Sequence, residues 1–140
     1  MILVDTSIWS SAFRRPKHET EINREAKILY QLIEKNEPVA LPGIVLQELL
    51  AGLREDIRFR KLQQIMEGFP VILATVQNHI EAARIGNACR RKGVATSATD
   101  CLIAAMTVGW DAVLFTSDQD FKYTATCCSL KLFSTRLSEP

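Results

Sequence analysis

A chain of 140 residues with 47% hydrophobic composition has the size of one domain and enough apolar material for a continuous core. Seventeen basic against sixteen acidic side chains leave a formal net charge of +1, which excludes polyanion binding through bulk charge, so any nucleic-acid surface must be local. No apolar run approaches the roughly 20 residues needed to cross a bilayer, and MILVDTS turns polar too early for a signal-peptide core, so the expectation is one soluble cytoplasmic domain over residues 1–140.

Residues 2–4, all branched and apolar, read as a buried strand that Asp5 ends. Over 19–36, Ile22, Ala26, Leu29, Leu32 and Ile33 recur at helical spacing among charged residues, predicting an amphipathic helix stopped by Asn36 and Pro38. A second strand at 39–41 turns through Pro42 and Gly43 into an apolar helix reaching residue 53, and a charged helix spans 56–67. Gly68 and Pro70 break that helix before a strand at 71–74, and residues 77–92 form a further amphipathic helix with Gly93 as its C-terminal cap. Ser97 or Thr99 caps a nearly all-apolar helix over 100–108, which Gly109 ends before a strand at 112–116; residues 129–133 are a candidate last strand. Short strands alternating with helices of this length predict βαβ units, an α/β fold with a parallel sheet covered on both faces.

Cys89, Cys101, Cys127 and Cys128 show no CxxC pair and no zinc-like spacing, and read as reduced thiols filling the core. His18 and His79 sit in polar stretches, away from any candidate nucleophile or acid, and carry no catalytic expectation.

Four carboxylates stand out. Asp5 and Asp118 each follow an apolar strand, and ligands of open α/β sheets bind at the carboxyl ends of strands, although either acid also suits a helix or turn cap. Glu48 lies in GIVLQELLAGL with Ile44, Val45, Ala51 and Gly52 as same-face neighbours, so it reads as a largely buried acid with no cation on its own helix. Asp100 opens DCLIAAMTV, where the helix dipole alone favours it by roughly 0.3–1 kcal/mol. Two carboxylates about 4 Å apart repel by ~4 kcal/mol at an effective dielectric near 20, so clustering four of them requires compensating positive charge. Hard oxygen ligands without histidine or cysteine point to Mg²⁺ or Mn²⁺.

VDTS at 4–7, LQELLAG at 46–52, TDCLIAAMT at 99–107 and LFTSDQDF at 114–121 resemble the motifs of PIN-domain ribonucleases of the VapC toxin type, in that family's order and over essentially the whole chain. The resemblance implies a three-layer α/β/α sandwich with a short parallel central sheet. It implies that Asp5, Glu48, Asp100 and Asp118 hold one or two Mg²⁺ or Mn²⁺ ions for RNA hydrolysis, with Thr6 and Thr116 as supporting hydroxyls and Asp120 as a second-tier acid. Cys101 departs from the alanine usual after the third acid, a change conservative in volume. The same resemblance implies a homodimer and a small antitoxin partner, for which Trp9, Phe13 and the helix 19–36 are candidate contact surfaces.

The implied chemistry is a metal-lowered water pKa and in-line attack on phosphorus, with Asp5 and Asp100 as main ligands and Glu48 or Asp118 orienting the water or a second ion. Arg14, Arg15, Lys17, Arg90, Arg91 and Lys92 are candidates for steering the RNA backbone. Three rivals share parts of the pattern. A haloacid dehalogenase-type phosphoryl-transfer enzyme expects a second aspartate where Ser7 stands, and a receiver-like domain expects paired acids after the first strand. A catalytically silent RNA- or protein-binding module is the third.

Overall fold

The computed structural model of the chain describes residues 1–13 and 23–134. Strands β1 (Ile2–Val4), β2 (Val39–Pro42), β3 (Val71–Ile72) and β4 (Val113–Phe115) form a parallel sheet in the order β3-β2-β1-β4. Between and after them run helices α1 (Thr6–Phe13), α2 (Arg24–Glu34), α3 (Gly43–Ala51), α4 (Asp56–Met66), α5 (Val76–Arg91), α6 (Ala98–Gly109) and α7 (Asp120–Thr124).

The chain steps outward from β1 to β2 and β3, then returns across the sheet to β4 on the far side of β1. Right-handed crossovers in opposite directions put α1–α4 on one face and α5–α6 on the other. The helix contacts agree, since α1 packs on α2 and α3, α3 on α4, and α5 on α6. This is the expected three-layer α/β/α arrangement. Strand order reverses between β1 and β4, and the carboxyl ends of the strands at such a switch point leave a crevice open.

Burial on both faces explains the continuous apolar strands: Leu3, Val4, Leu41 and Leu114 are fully buried. Helix α6 buries every residue from Ile103 to Thr107, and the Thr107 hydroxyl is satisfied by donating to Ile103 O at 2.8 Å. Trp9 is 1% exposed, donates its indole N–H to Val4 O at 3.1 Å and meets Phe69 edge-on with ring centroids 4.9 Å apart. It is therefore core rather than an antitoxin contact, while Phe13 beside it remains exposed.

Helix ends show where residue type alone was informative. Asn36 (φ 57°) ends α2, and Gly93 (φ 71°) follows α5, with Val94 N–H returning to Cys89 O at 2.8 Å. At α6 the left-handed residue is Asp111 (φ 50°), two positions beyond the expected Gly109. Gly109 instead faces α5, where a Cβ would come within 3.1 Å of the Asn78 side chain. The candidate last strand reduces to one bridge, Leu114 with Leu132, and β3 is two residues rather than four. Helix α2 starts at Arg24 behind an Asn23 cap, so residues 19–22 of the expected helix lie outside the described residues.

Candidate active site

Strand register sets the site. Val4 pairs with Phe115, and Asp5 N–H donates to Phe115 O at 2.9 Å, so the next residues, Asp5 and Thr116, leave the sheet side by side at its carboxyl end. Asp5 is 6% exposed, and its Oδ2 accepts from Thr116 Oγ1 at 2.8 Å and Ser7 Oγ at 3.0 Å. Each hydroxyl has one proton and gives it to Asp5, leaving its oxygen to accept. Ser7 Oγ accepts Ser117 N–H at 3.1 Å, and Thr116 Oγ1 accepts Asp118 N–H at 3.0 Å. The Asp5 carboxylate thus anchors the loop after β4 through two hydroxyls.

That loop presents two more acids. Asp118 Oδ1 accepts Asp120 N–H at 2.9 Å, a turn that aims both side chains from one short segment. From the opposite helix, Asp100 stands in the first turn of α6, where its N–H donates to Ser97 Oγ at 3.0 Å and identifies Ser97 as the cap. Asp100, Asp118 and Asp120 each offer a carboxylate oxygen within 4.8 Å of the others. Burial first, then the charges of Asp118 and Asp5, push the Asp100 carboxyl up to about 6, against the opposing Ser97 hydrogen bond.

Glu48 is exposed, which corrects the expectation of a buried glutamate. Val45 and Leu49 are the α3 side chains that reach the core, and Glu48 lies off that stripe. It accepts from Thr6 Oγ1 at 3.0 Å, which ties it to the residue after Asp5 but leaves it outside the tight trio. Asp120, ranked second from sequence, is inside the trio. Ser7 was missed altogether: it stands in the VDTS motif, but its role depends on Thr116 and Ser117, more than a hundred residues away.

The donor set fits a hard divalent cation, because it consists of carboxylate oxygens and one of them, Asp100, is already held toward its protonated form by burial and by its neighbours' charge. Among the described residues the ion pairs are surface ones, Arg58–Glu55, Arg60–Asp56, Arg84–Glu81 and Lys131–Asp111, and none involves these acids.

Arg14, Arg15, Lys17 and His18 lie outside the described residues. Arg90 is hydrogen-bonded to Asn87, and Lys92 Nζ donates to Thr126 O at 2.6 Å. Exposed His79 lines, with Arg90, Thr96 and Ser97, a cavity of about 480 Å³ between α5 and the start of α6. Ser97 links that cavity to Asp100.

The PIN domain family matches residues 2–126. A VapC ribonuclease of Mycobacterium bovis and the ribonuclease VapC11 of Mycobacterium tuberculosis are each 31% identical over 140 residues, covering 97% of this chain and 100% of theirs. Among solved structures, FitAcB from Neisseria gonorrhoeae superposes with a TM-score of 0.75 at 23% identity, covering 96% of this chain and 97% of its own. VapBC2 from Rickettsia felis, bound to a DNA fragment from its promoter, gives a TM-score of 0.75 at 22% identity, covering 95% of this chain and 98% of its own. These structural likenesses concern the fold, whereas the family match spans most of the sequence. The chain belongs to the PIN-domain family.

Proposed function

We propose that the chain is a metal-dependent endoribonuclease, the toxin of a toxin–antitoxin pair, acting as one nuclease domain over residues 1–140. The observation that carries this reading is the meeting of Asp100, Asp118 and Asp120 beside Asp5, at the switch point of a PIN fold. Its curated relatives named as VapC ribonucleases support RNA as the substrate.

Asp100, Asp118 and Asp120, with Asp5 behind them, would hold Mg²⁺ or Mn²⁺, which when bound supplies a water of lowered pKa and charge neutralisation for the phosphate. Asp5 keeps its orientation because two hydroxyls hold one of its oxygens. Thr116 joins Asp5 to the Asp118 backbone, so the two acids are placed as a unit. Glu48, exposed and held by Thr6, is assigned to orient the attacking water by hydrogen bonding. A small antitoxin and a second copy of the chain are its proposed partners, and the cytoplasm its location. No described helix is long and apolar enough to cross a membrane.

Purified protein is expected to cleave RNA with Mg²⁺ or Mn²⁺ and to stop on addition of a chelator, measured on labelled RNA. Undiminished cleavage by Asp5→Asn would sink the assignment. Thr116→Val and Ser7→Ala, which remove the two hydroxyls on Asp5, are expected to slow cleavage on the order of 10–100-fold, as the loss of groups that orient ligands does elsewhere. Cleavage rates at saturating RNA check this, and rescue by Thr116→Ser separates the hydroxyl from the methyl group.

A further inference from the structure

The cavity of about 480 Å³ between α5 and the start of α6 adjoins the acid site without being lined by any of its carboxylates. Room for it is left by Ala82, Ala83 and Gly86 on α5, with Leu102 of α6 adding an apolar surface. Three exposed polar side chains of α5, His79, Asn87 and Arg90, complete that wall, with His79 and Arg90 at its two ends. Ser97 lines the cavity and also accepts the Asp100 N–H on Oγ at 3.0 Å. Cavity and carboxylate therefore share the first turn of α6, ~5.4 Å of helix rise.

We infer, on the ribonuclease reading above, that this cavity receives one unstacked base of the RNA beside the scissile phosphate and selects guanine and uracil over adenine and cytosine. Single-stranded RNA is read by splaying bases onto aromatic or guanidinium planes and hydrogen-bonding their edges. His79 and Arg90 supply such planes, and the volume falls in the ~300–1,000 Å³ range of sites that enclose a small organic group. Arg90 donates to the neutral Asn87 side chain, which orients its guanidinium without cancelling the charge, so the charge remains to attract the RNA backbone. A strand with its phosphate at Asp100 has its neighbouring nucleotide at the cavity mouth, because Ser97 belongs to both.

The choice of base follows from donors and acceptors. A guanidinium can only donate, so the Asn87 atom that meets Arg90 is the amide oxygen, and the Asn87 NH₂ is left as a pair of donors. The further N–H groups of Arg90 are donors as well. Guanine offers O6 and N7 as acceptors, and uracil offers O4 as thymine does. Adenine and cytosine present an amino group at the corresponding place, which would set donor against donor.

The test digests a pool of single-stranded RNA of randomised sequence partially with the full chain and Mn²⁺, and sequences the cleaved ends. Wild type should show guanine or uracil enriched at one fixed position beside the cut. Ala83→Leu, which fills the cavity from an exposed helical position, should lose that enrichment and cleave about 10-fold more slowly at subsaturating RNA, the scale of one lost base contact. Asn87→Asp, which replaces the amide donors by acceptors, should turn the enrichment toward adenine or cytosine. That second variant alters an exposed position and carries the test alone if Ala83→Leu does not fold. A wild-type profile without guanine or uracil enriched beside the cut, or the wild-type profile retained in Asn87→Asp, would overturn the inference and leave the ribonuclease reading standing. No cleavage by wild type at all would sink both.

Discussion

Asp100→Asn is expected to reduce RNA cleavage by about 10³-fold, the scale of losing a principal electrostatic group, and to make the metal-free protein more stable at pH 7. The two effects share one cause. Burial and the charges of Asp118 and Asp5 raise the Asp100 carboxyl from 3.8 to about 6, so the folded chain holds that proton more tightly than the unfolded chain does. Between about pH 4 and 6 the folded state therefore binds more protons at this position. The stability from this group is present at the acid end of the window, is lost as pH rises through it, and leaves a penalty above pH 6. Solvent screening of a half-exposed carboxylate reduces that penalty to about 1 kcal/mol, which the neutral amide avoids. Thermal melts of wild type and Asp100→Asn in chelator, at pH 5 and pH 7, check this. The variant's advantage should shrink at pH 5, and an advantage independent of pH would break the link between clustering and the raised carboxyl.

Trp9→Ala is expected to cost ~3–5 kcal/mol of folding stability, the range for deleting a large buried aromatic. Trp9 is 1% exposed, packs edge-on against Phe69, and its indole N–H satisfies Val4 O at the end of β1. The substitution thus opens a cavity and frees the carbonyl immediately before Asp5. Trp9→Phe keeps most of the packing but loses the hydrogen bond, which is worth about 1 kcal/mol. Urea unfolding of the three proteins separates cavity from hydrogen bond. A loss below about 1 kcal/mol for Trp9→Ala would contradict its place in the core.

The alternation of short apolar strands with longer helices was readable because a parallel sheet buried on both faces leaves continuous runs such as Ile2–Val4. Asp5 and Asp118 could be found by their place at strand ends, since the topology opens its crevice there. Glu48 was misread because α3 is apolar nearly all round, so periodicity could not say which stripe meets the core; Val45 and Leu49 do, and Glu48 does not. Reading Asp5 as a cap pointed to the helix that does start at Thr6, where Asp5 O accepts from Ile8 and Trp9 N–H, but the Asp5 carboxylate is taken up by hydroxyls instead. Asp120 and Ser7 gain their roles from neighbours set by strand pairing, which no local pattern encodes. Asp111, rather than Gly109, takes the left-handed position after α6, because aspartate tolerates it and Gly109 is committed to a close approach to α5.

On the proposed reading, Asp100, Asp118 and Asp120 are gathered to hold a divalent cation. A calorimetric titration of metal-free protein with Mn²⁺ near pH 6 tests it most directly, comparing wild type with an Asp100→Asn/Asp118→Asn double variant. Wild type should bind saturably and release protons as Asp100 ionises, since its carboxyl titrates at about 6, and the double variant should lose both signals. Mn²⁺ binding of equal strength in the double variant would contradict the account.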